Sequence, residues 1–143
     1  MNFFKKLFSK SAAPKNSQTF PGIVAAKVLD AQKHPNADRL RVIKLDAGEK
    51  GIIEPVVCGA MNFGVGNVVA LALPGAKIAQ NIHSETHEPF VLGKAKIRGV
   101  ESQGMICAAF EVGLAKEPGD KPEIMILKPG TNPGSTFSAE MLQ

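Results

Sequence analysis

Lys94, Lys96 and Arg98 alternate with Ala95 and Ile97, and the run continues as Gly99-Val100-Glu101-Ser102-Gln103-Gly104-Met105. In an extended strand, residues two apart share a side, so the three cations would point one way. Gly99 lets the backbone turn or be approached closely. A row of cations beside a small polar residue and two glycines suits one chemistry, holding a phosphate backbone against a sheet. The charges alone also fit an ordinary solvated strand face, so the other segments must decide between the two.

Catalytic chemistry is hard to find. The chain has no GxSxG, no HExxH, no Walker loop and no dinucleotide fingerprint. His34 precedes a proline in a turn. His83 and His87 are four apart and would face a metal from a helix, but Pro89 and the polar surroundings argue against helix there. Cys58 and Cys107 lie in apolar runs, with neither a CxxC spacing nor a nearby His pair, and read as small buried hydrophobes. The expectation is a chain without metal or cofactor that is not an enzyme.

The elements that must position the cationic run are short. Ile23 to Ala31 is apolar and β-branched, and His34-Pro35-Asn36-Ala37-Asp38 is a turn. Leu40 to Ala47 alternates as a strand, Gly48 to Gly51 is a hairpin loop, and Pro55 to Cys58 is a third strand. Val68 to Leu73 is nearly continuous in apolar residues, which predicts a central strand. Residues 79–89 read as an exposed loop, Phe110 to Leu114 as a short helical turn and Ile124 to Leu127 as a last strand. Five or more short strands with glycine-rich corners predict an all-β fold, a small closed or partly closed barrel. Among small barrels, the five-stranded oligonucleotide-binding (OB) fold suits a face of alternating cations.

Net charge is +4, from 17 Lys and Arg against 13 Asp and Glu. The excess has a location. Residues 1–18 hold Lys5, Lys6, Lys10 and Lys15 and no acid, so the remainder is formally neutral. A high pI is then weak evidence for a nucleic-acid partner. Within the remainder, residues 19–98 are net basic and residues 99–143 net acidic. That division fits polyanion binding on one side, and it also fits charge pairing between the two parts. Phe3, Phe4, Leu7 and Phe8 fall on one helical face of the first ten residues. Residues 1–19 are expected to be a flexible basic and aromatic tail that could meet a membrane surface, RNA or a partner. Residues 20–142 form the expected domain, with a C-terminal extension to its barrel. No apolar run reaches the length of a membrane span and no signal peptide is visible, so a cytoplasmic location is expected.

The chain has no Trp and no Tyr. Binders of unpaired nucleic acid usually present aromatic stacking platforms. Aligned cations with few aromatics suit a folded RNA instead, met through phosphates and 2′-hydroxyls.

Four segments taken together resemble the tRNA-binding domain family, above all the variety found in the bacterial phenylalanyl-tRNA synthetase β subunit. They are His34 to Leu40, Val57-Cys58-Gly59-Ala60-Met61-Asn62, Ala70 to Gly75, and Lys94 to Cys107. The resemblance runs from about Gly22 to Leu142. It implies an OB fold and non-catalytic binding of tRNA. Carried over by position, it implies RNA contacts at Lys94, Lys96, Arg98 and Ser102. Asn62 would be a turn or RNA contact, and Arg39 and Arg41 would extend the basic surface. His34, Asn36 and Asp38 would chiefly shape the first loop. Family members without further domains often pair, which makes residues 108–143 a candidate homodimer interface. The chain looks like a free-standing module. Two alternatives stay open: an accessory subunit or fragment of an aminoacyl-tRNA synthetase, and a chaperone-like protein-binding module.

Overall fold

The computed structural model describes residues 18–143. The expected tail at residues 1–19 lies almost wholly outside that range. Nine strands follow in chain order: β1 Ile23–Lys33, β2 Arg41–Asp46, β3 Ile52–Cys58, β4 Val68–Ala72, β5 Lys77–Ile78, β6 Phe90–Val91, β7 Ala95–Ile97, β8 Val100–Ser102 and β9 Met105–Ile106. One antiparallel sheet, ordered β3-β2-β1-β4-β9, curls into a half-barrel, and the fold is all-β and OB-like. Two small hairpin sheets, β5-β6 and β7-β8, flank it. Among the described residues, no helix is long and apolar enough to cross a membrane.

β1 explains the curl. It is long enough to pair with β4 through Ile23–Lys27 and with β2 through Lys27–Lys33. Between Val28 and Asp30 its register slips in a bulge, a device that sharpens local twist. Opposite charges face each other across the pair, with Lys27 against Asp46 and Asp30 against Lys44.

β4 is apolar throughout because it has no solvent face. Val69 and Leu71 join Val24, Ile43, Leu45, Val56 and Ile106 in the barrel core. The alternate residues Val68, Ala70 and Ala72 join a second core with Phe20, Ile78, Cys107, Leu127 and Phe137. The C-terminal segment supplies that second layer. It docks on the free edge of β1, where Ala25 donates to the Ser135 carbonyl at 2.8 Å and Phe137 donates to that of Ile23 at 2.8 Å. Alanines at 25, 70 and 72 leave room for this approach, and each is fully buried.

Two expected elements take other forms. Ile124 to Leu127 makes isolated bridges, Val69 with Ile126 and Leu127 with Leu142, and no continuous strand. Residues 110–114 form overlapping turns in place of a helical turn, with Gly113 at φ 80° turning the chain away. Periodicity does not separate these cases, because each segment takes its conformation from the sheet it covers.

The turns before Gly113 are stapled by Glu111, whose side-chain Oε1 accepts from the Ala108 N–H at 2.8 Å. Its backbone carbonyl accepts from the Ala79 and Gln80 N–H groups. Burial pushes the Glu111 carboxyl above its usual value, against the opposing pull of the Ala108 N–H and of His83. Burial likewise raises the thiol pKa of both Cys58 and Cys107, which behave as small core residues. Because the folded state holds the Glu111 proton more tightly than the unfolded chain, this group's stabilisation is full below the unfolded value of about 4.5 and fades as pH rises through the folded one. Glu111→Gln keeps an acceptor and removes the titration. Urea midpoints of wild type and variant, measured at about pH 4 and about pH 8, should therefore differ in the variant's favour more at the higher pH. An equal difference at both would contradict the burial penalty.

Candidate nucleic-acid interface

β7 and β8 form a tight hairpin, with Ala95 opposite Ser102, Lys96 opposite Glu101 and Ile97 opposite Val100. Its two-residue turn is Arg98-Gly99, with φ of 52° and 92°. Positive φ at both positions marks the primed turn whose twist matches the flanking strands. The sequence reading is corrected here. Lys94 and Lys96 keep the two-residue spacing, but Arg98 leaves the strand and occupies the tip. All three remain exposed. A non-glycine residue in the left-handed region is strained, so Arg98 holds a place that glycine or asparagine would fill more cheaply.

The hairpin is held from two sides. From the first loop, the His34 ring is buried, and its Nδ1 accepts from the Asn36 N–H at 2.9 Å. Its other nitrogen, Nε2, must then donate, and it meets the Ile97 carbonyl at 3.0 Å. The Asn36 amide donates to the Arg98 carbonyl at 3.1 Å, while Arg98 Nη2 donates back to the Asn36 carbonyl at 3.3 Å. From the sheet, the Ser102 hydroxyl accepts from the Val57 N–H and donates to the Gly104 carbonyl, both at 2.9 Å. Gln103 donates to the Pro55 carbonyl at 2.8 Å, so the base of the hairpin hangs on β3.

This geometry sorts the expected contacts. Ser102 is 3% exposed and both capacities of its hydroxyl are used inside the protein, so it positions the hairpin and is closed to a phosphate. Arg41 is also committed. Its Nη2 donates to the Ala60 and Phe63 carbonyls at 3.0 Å each, and its guanidinium lies 4.5 Å over the Phe63 ring. Asn62 clamps the C-terminal segment, donating to the Ile124 carbonyl at 2.9 Å and accepting from its N–H at 3.1 Å. Three of the residues expected to meet RNA thus have fastening roles within the protein, Ser102 buried, Arg41 half-buried and Asn62 exposed. Each is a polar side chain whose partner is a backbone group far along the chain, and short-range pattern carries no sign of such a partner.

The exposed cations that remain are Lys94, Lys96, Arg98 and Arg39. Arg39 and Arg98 line one polar cleft with Asn36, Asp38 and Leu40, of about 420 Å³. Asp38 is paired with Lys33 at 3.3 Å, and this is the one side-chain ion pair among the described residues. The four cations therefore have no carboxylate within ion-pair distance among those residues. The first loop's role as a clamp on the hairpin was not readable beforehand, since His34 and Asn36 reach residues 97 and 98.

The sequence profile of the family described as "Putative tRNA binding domain" matches residues 23–136. The chain is 41% identical over 128 residues to a phenylalanine–tRNA ligase beta subunit of Anaeromyxobacter dehalogenans, covering 90% of this chain and 14% of that one. It is 49% identical over 96 residues to the beta subunit of Chlamydia pneumoniae, covering 67% of this chain and 11% of that one. The chain thus spans only a small fraction of the length of these relatives. Its fold is similar to that of the C-terminal domain of Plasmodium vivax p43, with a TM-score of 0.50 at 22% identity, over 78% of this chain and 56% of that one. The profile covers both the first loop and the hairpin it clamps, and the chain belongs to the tRNA-binding domain family.

Proposed function

We propose that this chain binds folded tRNA through the exposed lip formed by Lys94, Lys96, Arg98 and Arg39, meeting phosphates and overall shape, and performs no reaction of its own. The observation that carries the reading is the lip itself. Three cations without carboxylate partners are displayed at a hairpin fastened by His34, Asn36 and Ser102, and a fourth, Arg39, stands on the adjoining first loop, in a member of a tRNA-binding family. Unpaired cations are free to release counterions from a phosphate backbone. The Arg39 guanidinium beside the cleft can offer a forked pair of donors to a phosphate, and Arg98 the donors that its bond to the Asn36 carbonyl leaves over.

The aromatic side chains support a folded target. Phe20, Phe63, Phe110 and Phe137 are buried, and Phe20 packs on Phe137 with centroids 4.9 Å apart. These four are not available as platforms for unpaired bases, which leaves the half-buried Phe90 alone among the described residues. Recognition then rests on the spacing of phosphates along a compact helix.

A second reading is favoured by the beta-subunit relatives: the module works beside a phenylalanine–tRNA ligase. Recovery of that ligase's subunits with the tagged chain from its own cells would support this, and a bare homo-oligomer would count against it.

Four phosphate contacts predict a log–log salt slope of roughly −3 to −5 for tRNA binding. Lys94→Glu with Lys96→Glu should weaken binding at least about tenfold and flatten the slope by about two. Gel shifts at several salt concentrations read both quantities, and an unchanged slope would remove the lip from the interface.

Two further variants separate contact from scaffold. Arg98→Asn relieves the left-handed strain, so it should melt no lower than wild type yet bind tRNA more weakly. Ser102→Ala leaves the Val57 N–H unpaired and should cost about 1–3 kcal/mol in stability. Because the hairpin base is then looser, its tRNA affinity, measured well below the melting point, should fall while the salt slope stays at the wild-type value, since no cation is lost.

A further inference from the structure

A groove of about 1300 Å³ opens between the end of β3, the inner side of β7 and residues 117–125. Its apolar wall includes Met61, Phe90, Leu92, Met105, Ala109 and Ile124. Met61 is 53% exposed and extends this apolar wall to the surface. The charged lining has the opposite sign to the lip. Glu117, Asp120 and Glu123 are exposed there beside the single Lys121, while Asp38 is already paired with Lys33, Glu111 is buried and Arg39 belongs to the lip as well. A phosphate backbone is repelled from such a surface, whereas a segment with apolar and cationic side chains matches it on both counts.

One segment of this chain has that composition. Phe3, Phe4, Leu7 and Phe8 recur at helical spacing, and Lys5, Lys6, Lys10 and Lys15 accompany them without a single acid. The described chain begins two residues before Phe20, in the apolar layer that lies behind one wall of the groove. Phe20 belongs to the apolar cluster that also holds Met125, Phe90, Leu92, Met105 and Ala109, all of which line the groove. The preceding 17 residues can span roughly 60 Å when extended, ample to reach any part of it. We propose that the groove is the seat of the chain's own N-terminal segment, with Phe3, Phe4, Leu7 and Phe8 against the apolar wall and the lysines facing the carboxylates of Glu117, Asp120 and Glu123. Cations of the tail are then spent on the protein, and the RNA-facing charge is that of the lip alone.

The full-length protein supplies its own reporters. Met61, Met105 and Met125 line the groove and Met141 does not. With ¹³C-methyl-methionine labelling, Phe4→Asp combined with Phe8→Asp should shift the three groove methyls and leave Met141 in place. Glu117→Lys combined with Glu123→Lys should shift the same three methyls, because it removes the matching charge from the other side. Wild-type spectra should not change over a roughly tenfold dilution, as expected for a segment tethered within one chain. Groove methyls that stay put in both double variants would overturn the proposal. So would a dilution-dependent spectrum, which would assign the groove to a second copy. tRNA that perturbs the groove methyls of the Phe4→Asp, Phe8→Asp protein would assign the groove to RNA. A change that spreads to Met141 would mean a global rearrangement and would count against the proposal equally.

Discussion

The contact on which the cationic lip depends is the hydrogen bond from the buried His34 ring to the Ile97 carbonyl. A two-stranded hairpin of three residues per strand is too small to hold its own shape in water. Here it is fixed by an imidazole whose two nitrogens are both used, one by the Asn36 N–H and one by the hairpin. The Asn36 amide repeats the fastening at the turn, and Ser102 secures the base to β3. The lysines contribute charge, and these three polar side chains contribute its location. A displaced hairpin would keep every cation and lose their spacing.

Beneath the hairpin is a sheet with two apolar faces. β4 divides the barrel core from the layer closed by the C-terminal segment, so the C-terminal residues complete the fold even though they form few regular strands. The small side chains at Ala25, Ala70 and Ala72 let this second layer approach the sheet. Asn62 then fastens Ile124, which lies where the groove begins. Site and core are therefore continuous. The residues that close the barrel also build the wall opposite the lip.

The two surfaces have opposite charge because they come from different parts of the chain. The lip draws on residues 39 and 94–98, whereas most carboxylates of the groove come from residues 111–123. A molecule that is nearly neutral apart from its first residues thus carries a local positive field on one edge and a negative one beside it. Such a division favours binding in one orientation, because a polyanion is attracted to the first and repelled by the second.

Much of the fold was legible in the sequence. The strands from Ile23, Leu40, Pro55 and Val68 showed in alternation or in an unbroken apolar run, and both are local consequences of which faces are buried. The family resemblance was legible too, since its motifs are contiguous, and so was the presence of cations at 94, 96 and 98. The tertiary structure decided what those residues do. Arg98 left the strand because the primed turn needed positive φ at two positions, and the buried Ser102, the half-buried Arg41 and the exposed Asn62 each took backbone partners within the protein. A sequence shows which side chains have hydrogen-bonding capacity. Only folding brings to each the partner, often some 60 residues distant, that determines whether the capacity is used within the protein or offered to a ligand.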